Sequence, residues 1–193
     1  MSKILPLVIS PDPLLKEISK PVEKFDEELK TLVDDMFLTM YANDGIGLAG
    51  VQVGVLKRVL VMDLDYEEDE EQKFNHSHNN HHHHHGNFHH VFVKNTNPRC
   101  FINPQIIESS NDTTSFKEGC LSFPQARSEV TRPKNVKVKY FDLSGQEKLE
   151  EMKGLMAVCI QHEIDHLNGI TFVDRISKLK REMILRKMKK LNR

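Results

Sequence analysis

Two histidines, His162 and His166, stand four residues apart in "CIQHEIDHLNG" (159–169), with Glu163 beside the first. Residues four apart on an α-helix share a face, so both imidazoles can meet one ion. Glu163 is turned by roughly 100° about the helix axis. It can therefore miss the ion and still reach a water held there, the division of labour in an HExxH hydrolase: two ligands and a general base. Leu155, Met156, Val158, Ile160, Ile164 and Leu167 flank these polar residues. The pattern predicts a mostly buried helix whose His162, Glu163, Asp165 and His166 need partners.

Two histidines leave a catalytic ion short of ligands. Cys159 lies one turn before His162, but Cys159, His162 and His166 would spread over roughly 10 Å of helix axis. Bonds of about 2.0 to 2.3 Å do not gather all three. Downstream of His166 there is no further histidine, and Asp174 and Glu182 stand in poor contexts. Upstream, "EGCLSFP" (118–124) offers Cys120 beside Gly119, a residue that allows close backbone approach. Cys100 sits in an apolar run and reads as core.

These residues need a scaffold. "FDEELKTLVDDMFLTMYAN" (25–43) places Leu29, Leu32, Val33, Met36, Phe37, Met40 and Tyr41 at helical spacing, with Asp26 as cap and "NDG" as stop. "KRVLVMDLDY" (57–66) and "RCFINPQII" (99–107) predict strands, and 135–154 predicts a hairpin turning at Ser144-Gly145. The HExxH helix is expected over 155–168, ended by Gly169. A basic helix is expected from about 176, with Ile176, Leu179, Met183, Leu185, Met188 and Leu191 including an apolar stripe. Gly45 and Gly47 are expected to end the first helix and open a loop.

The 193 residues suit one catalytic domain, 1–193, with a low-complexity Asn/His-rich insertion at about 67–90. Seven of the eleven histidines lie in 76–85, so the tract is expected to form an unstructured hairpin loop and not a metal store. Lys and Arg total 27 against 28 Asp and Glu, a net charge of -1, which argues against DNA as a partner. No stretch is long and apolar enough to argue for a membrane. In "MSKILPLVIS", Pro6 interrupts the apolar run and no cleavage site follows, so no signal peptide is expected. Three cysteines without framework spacing fit a reducing compartment.

"GIGLAGVQ" (45–52), "EGCLS" (118–122) and "QHEIDHLNG" (161–169) resemble the three signature motifs of peptide deformylases, in the family's order and approximate spacing. The resemblance covers almost the whole chain. Gly50 departs from it, standing where the family often has alanine, and the insertion is foreign to the usual bacterial form. The resemblance implies an α+β fold in which antiparallel strands partly enclose the HExxH helix. It implies a hydrolase that removes the formyl group from the N-terminal formyl-methionine of nascent polypeptides and releases formate. Cys120, His162 and His166 would hold one divalent metal, usually Fe(II), with zinc, cobalt or nickel able to replace it. Glu163 would be the base for the attacking water. The Gln52 side-chain amide and the Leu121 backbone N–H would receive the oxyanion. Gly45, Gly47 and Gly119 would lie along the substrate, and Ile46, Phe116, Leu155, Val158 and Cys159 would line the methionine pocket. A basic C-terminal helix could meet ribosomal RNA, as in bacterial relatives.

Two other classes compete. A zinc peptidase would use the same HExxH on internal peptide bonds, but the missing downstream ligand argues against it. A metal-buffering protein would use the His tract. The Asn/His tract resembles insertions of parasite proteins with a relict plastid. That favours an organelle stroma, with a bacterial-type cytoplasm as the alternative.

Overall fold

The computed structural model describes residues 2–65, 67–68, 93–94 and 96–191. Helix α1 (Glu27–Ala42) leads to strands β1 (Gly47–Ala49), β2 (Val59–Met62), β3 (Glu67–Glu68), β4 (Val93–Lys94), β5 (Arg99–Ser109), β6 (Thr113–Gly119), β7 (Arg127–Pro133), β8 (Asn135–Phe141) and β9 (Glu147–Lys153). Helices α2 (Gly154–Leu167) and α3 (Lys178–Leu191) close the chain. One antiparallel sheet runs β1-β2-β5-β8-β9, while β3-β4 and β6-β7 form separate antiparallel pairs.

The large sheet is covered on both faces, and β2 shows why. Val59 and Val61 pack with Leu29, Val33, Met36 and Met40 of α1. Leu60 and Met62 point the other way, into the cluster that contains Cys159, Ile160, Ile164 and Leu167 of α2. Alternate side chains of a strand face opposite sides, so a strand buried at every position needs a helix on each side. The Asp26 side chain caps α1 by accepting from the Leu29 N–H at 3.1 Å. In β8 Val136, Val138 and Tyr140 are buried and their neighbours half-buried, the alternation expected of this hairpin. Gly145 turns it with a φ of 78°.

Helix α2 is buried at every position from Ala157 to Leu167. It ends where expected, and Gly169 is required there. Its φ is 70°, and a Cβ would stand 2.3 Å from the Lys16 carbonyl oxygen.

Gly47, the β6–β7 hairpin and helix α3 each add to or depart from what the sequence suggests. Gly47 does not lie in a loop; it opens β1 and pairs with Met62. The β6–β7 hairpin was not anticipated as an element. Helix α3 covers the core through part of its apolar residues: Met188 is buried with Ile184 and Leu185 packed beside it, while Leu179, Met183 and Leu191 are exposed at 70%, 63% and 50%. Lys187 is tied down, its Nζ donating to the Gln125 carbonyl at 2.8 Å. Most of the insertion lies outside the described residues; its stems, Glu67–Glu68 and Val93–Lys94, pair antiparallel.

Candidate metal centre and its surroundings

The hairpin and α2 together build the site. Cys120 directly follows β6, and His162 and His166 project from α2. One donor atom from each lies within 4.8 Å of the others, and Cys120 Sγ is 3.2 Å from His166 Nε2. Among the described residues this is the one cluster of its kind. His162 Nδ1 lies 2.8 Å from Glu118 Oε2, which leaves Nε2 for an ion. A thiolate with two imidazoles suits Zn(II) or Fe(II) with an open position. The donor chemistry, spacing and burial therefore fit a divalent ion.

The electrostatics fit as well. Burial opposes charge on His162, but Cys120 and Glu118 outweigh it and hold its pKa well above the ordinary value. The ring sits where positive charge is favoured, and a cation satisfies that preference. Burial, and then the charge of His162, drive His166 well below its ordinary value, so its lone pair is free to ligate. Burial raises the Glu118 carboxyl, yet hydrogen bonds from His162 and Arg132 prevail and hold it at about 2.

Arg132 of β7 is the hub of this buried network. Its Nε and Nη2 donate to the two Glu118 oxygens at 2.6 and 3.0 Å, and its Nη1 donates to Asp165 Oδ2 at 2.8 Å. Arg175 adds a second donor to that oxygen at 2.9 Å. The need of Asp165 for a partner is thus met by two arginines. Glu118 and Arg132 were not singled out from sequence: Glu118 stands within "EGCLS", but nothing local signals Arg132.

Glu163 is buried and turned off the ligand face. Burial raises its carboxyl to about 7, and its Oε2 has no hydrogen-bond partner in the protein. A buried acceptor left open in this way suits a water at the reaction centre. A Cβ on Gly47 would stand 2.6 Å from Glu163 Oε1 and 2.9 Å from Cys159 Sγ, so only glycine lets β1 pass so close. Gln52 Oε1 accepts from the Ala49 N–H at 2.7 Å, which sets the amide. Its Nε2 then faces Cys120 Sγ at 3.4 Å and Ser122 Oγ at 3.3 Å. Ser122, fully buried, also escaped the sequence reading. Leu121 packs against Gly45, where a Cβ would stand 2.8 Å from its Cδ1.

Other residues fall into place more loosely. Cys159 is buried beside Gly47, and burial, then the Glu163 charge, keep its thiol well above the ordinary value. Burial pushes Cys100 up to about 12. Asp174 pairs with Lys16 and Arg181 instead of an ion. Val158 is buried, while Ile46, Phe116 and Leu155 stand exposed at 39%, 44% and 39%. Gly119 is not forced by crowding, since a Cβ there would make only ordinary contact with Arg127. Gly50 is: a Cβ would lie 2.9 Å from the Val55 carbonyl, so alanine does not fit this loop as it stands.

A family profile described as polypeptide deformylase matches residues 4–182. Peptide deformylase of Erythrobacter litoralis is 50% identical over 183 residues, 94% of this chain and 93% of the relative. Peptide deformylase of Ehrlichia chaffeensis, solved in complex with actinonin, superposes with a TM-score of 0.81 at 41% identity, covering 100% of this chain and 99% of that one. The Plasmodium falciparum enzyme matches at 35% identity with a TM-score of 0.78, over 96% and 94% of the two chains.

Proposed function

The chain belongs to the polypeptide deformylase family, and from that premise we propose how its residues divide the work. It is a metal-dependent hydrolase that removes the N-formyl group from nascent peptides. Cys120, His162 and His166 hold the metal; the observation that carries this is their convergence from two distant segments onto one point beside Glu163. A divalent ion held by these three residues would supply the Lewis acidity that the attacking water and the formyl oxygen need. Glu163 takes the proton from the attacking water and returns it to the leaving amine. The Gln52 Nε2–H and the Leu121 N–H donate to the oxygen that gains charge. The peptide lies along Gly45, Gly47 and Gly119, with the methionine side chain among Ile46, Phe116, Leu155, Val158 and Cys159.

Fe(II) is the working metal in this reading; the thiolate/imidazole set supports iron and zinc equally, with cobalt and nickel as substitutes. The chain acts as one catalytic domain with the insertion appended. The Erythrobacter relative supports a bacterial-type cytoplasm, while an organelle stroma rests on the Asn/His tract alone. Contact with ribosomal RNA is supported by the exposed Lys/Arg residues of α3. Charge reversal at Lys189 and Lys190 should then weaken ribosome co-sedimentation in a salt-dependent way.

Formate release from a formyl-methionyl peptide, measured with metal content, tests the whole reading. One ion per chain and rapid release are expected. Cleavage of internal peptide bonds instead would favour a peptidase.

A further inference from the structure

Asp63 follows β2 and is only 1% exposed, yet no chemical role falls to it. Its Oδ2 accepts from the Tyr41 hydroxyl of α1 at 2.7 Å and from the Asn97 N–H at 2.9 Å. Its Oδ1 accepts from the Asp65 N–H at 3.0 Å. Its own N–H donates to the Ile46 carbonyl at 3.1 Å. Asn97 Nδ2 completes the circuit by donating to Asp65 Oδ2 at 2.9 Å. A buried carboxylate persists only where donors meet it, and its hydrogen bonds are stronger than those between neutral groups.

The partners lie on four separate pieces of chain. Tyr41 belongs to α1, which packs on the sheet. Asp65 is where the chain departs toward the insertion, and Asn97 is where it enters β5. Ile46 lies between Gly45 and Gly47, the glycines pressed against Leu121 and Glu163. Asp63 therefore joins the residues that flank the insertion, through its carboxylate, to the residue just before β1, through its backbone N–H.

We propose that Asp63 is a positioning residue for substrate binding. Its backbone N–H fixes the Ile46 carbonyl while its carboxylate joins Asp65 to Asn97, so that the Gly45–Gly47 edge keeps its geometry whatever chain runs between those two residues. The inference rests on the reading that this edge receives the formyl-methionyl peptide. Asp63 acts through the backbone of Ile46 and not on the reacting atoms. Its loss should weaken binding and leave the chemical step alone.

Asp63→Asn keeps the side chain's size and turns one acceptor oxygen into a donor, facing either Asp65 N–H or the Tyr41 and Asn97 donors. The KM for a formyl-methionyl peptide should rise about two- to tenfold, the worth of a buried hydrogen bond. The kcat and the metal content should stay near those of the parent. Hydrogen exchange at the Asp63 amide, which reports the link to Ile46, should become faster. Tyr41→Phe removes one donor, should move KM the same way by less, and decides the matter if Asp63→Asn does not fold. Ile46→Ala separates the two levels of inference. If it leaves KM unchanged, the Ile46 side chain does not line the methionine pocket and that part of the substrate reading fails. If it raises KM while Asp63→Asn and Tyr41→Phe leave KM unchanged or lower kcat alone, the role of Asp63 is overturned and the substrate reading stands.

Discussion

Glu118 Oε2 lies 2.8 Å from Nδ1 of His162, and the same carboxylate is gripped on both oxygens by Arg132. A metal-binding imidazole is thereby oriented by a group that is itself held. Arg132→Met should leave buried Glu118 without its arginine and Asp165 with Arg175 alone. Breaking a buried pair in this way costs about 3 to 5 kcal/mol, and a lost outer partner lowers metal affinity about 10- to 100-fold. Urea unfolding and a competition titration with a chelator check the two effects separately.

Glu163→Gln should keep the ion and lose about two to four powers of ten in kcat, since the carboxylate moves protons without ligating. Metal analysis beside kinetics checks this. A variant that arrives empty would make Glu163 a ligand.

The cysteines should divide cleanly. Cys120→Ser should lose most of its metal, while Cys100→Ser and Cys159→Ser keep theirs, because burial holds both of those thiols protonated. If iron is the resident ion, activity should decay in air and survive under reductant, as the ligand thiolate oxidises and binds less well. Elemental analysis of the three variants, with activity followed in air, tests both statements.

Stability of the metal-free protein should depend on pH at both ends. Glu163 is raised from 4.5 to about 7, so its contribution is fully present below pH 4.5 and is lost as pH climbs through 7. Glu118 is lowered from 4.5 to about 2, so its contribution is present above pH 4.5 and is lost as pH falls through 2. Melting temperature against pH should fall on both sides, and Glu163→Gln should flatten the upper slope alone.

Replacing 69–92 with a short turn between the paired stems should leave kcat and melting temperature almost unchanged. Loop length alters closure entropy by only about 0.6 kcal/mol per doubling. A marked fall in turnover would tie the insertion to the active site.

What the sequence disclosed was what repeats locally. The i, i+4 histidines, the apolar spacing of α1 and the alternation of β8 each signal their element within a few residues. The β6–β7 hairpin gave no such signal, because "TTSFKEG" and "RSEVTRP" carry little apolar alternation and meet the core mainly through buried Glu118, Val130 and Arg132. The three-residue β1 is too short for periodicity to register. Arg132 is invisible for a different reason: its partners Glu118 and Asp165 lie 14 and 33 residues away. Ion pairs at that range follow from the fold and leave no mark in the local pattern. Ser122 stood inside a quoted motif, but its part depends on which way the Gln52 amide points, and only the Ala49 N–H decides that.

Cys120 and His166 are 46 residues apart in the chain, and that separation makes any ion between them a removable cross-link. Closing a loop of this length in an unfolded chain carries an entropy worth about 4 kcal/mol, by the reckoning used for disulfides. The ion would thus pin the β6–β7 hairpin to α2 as a clasp pins two ends of a cord. Stripping it should loosen the hairpin first, so the rate at which a protease nicks residues 121–126 becomes a gauge of how much of the protein is loaded.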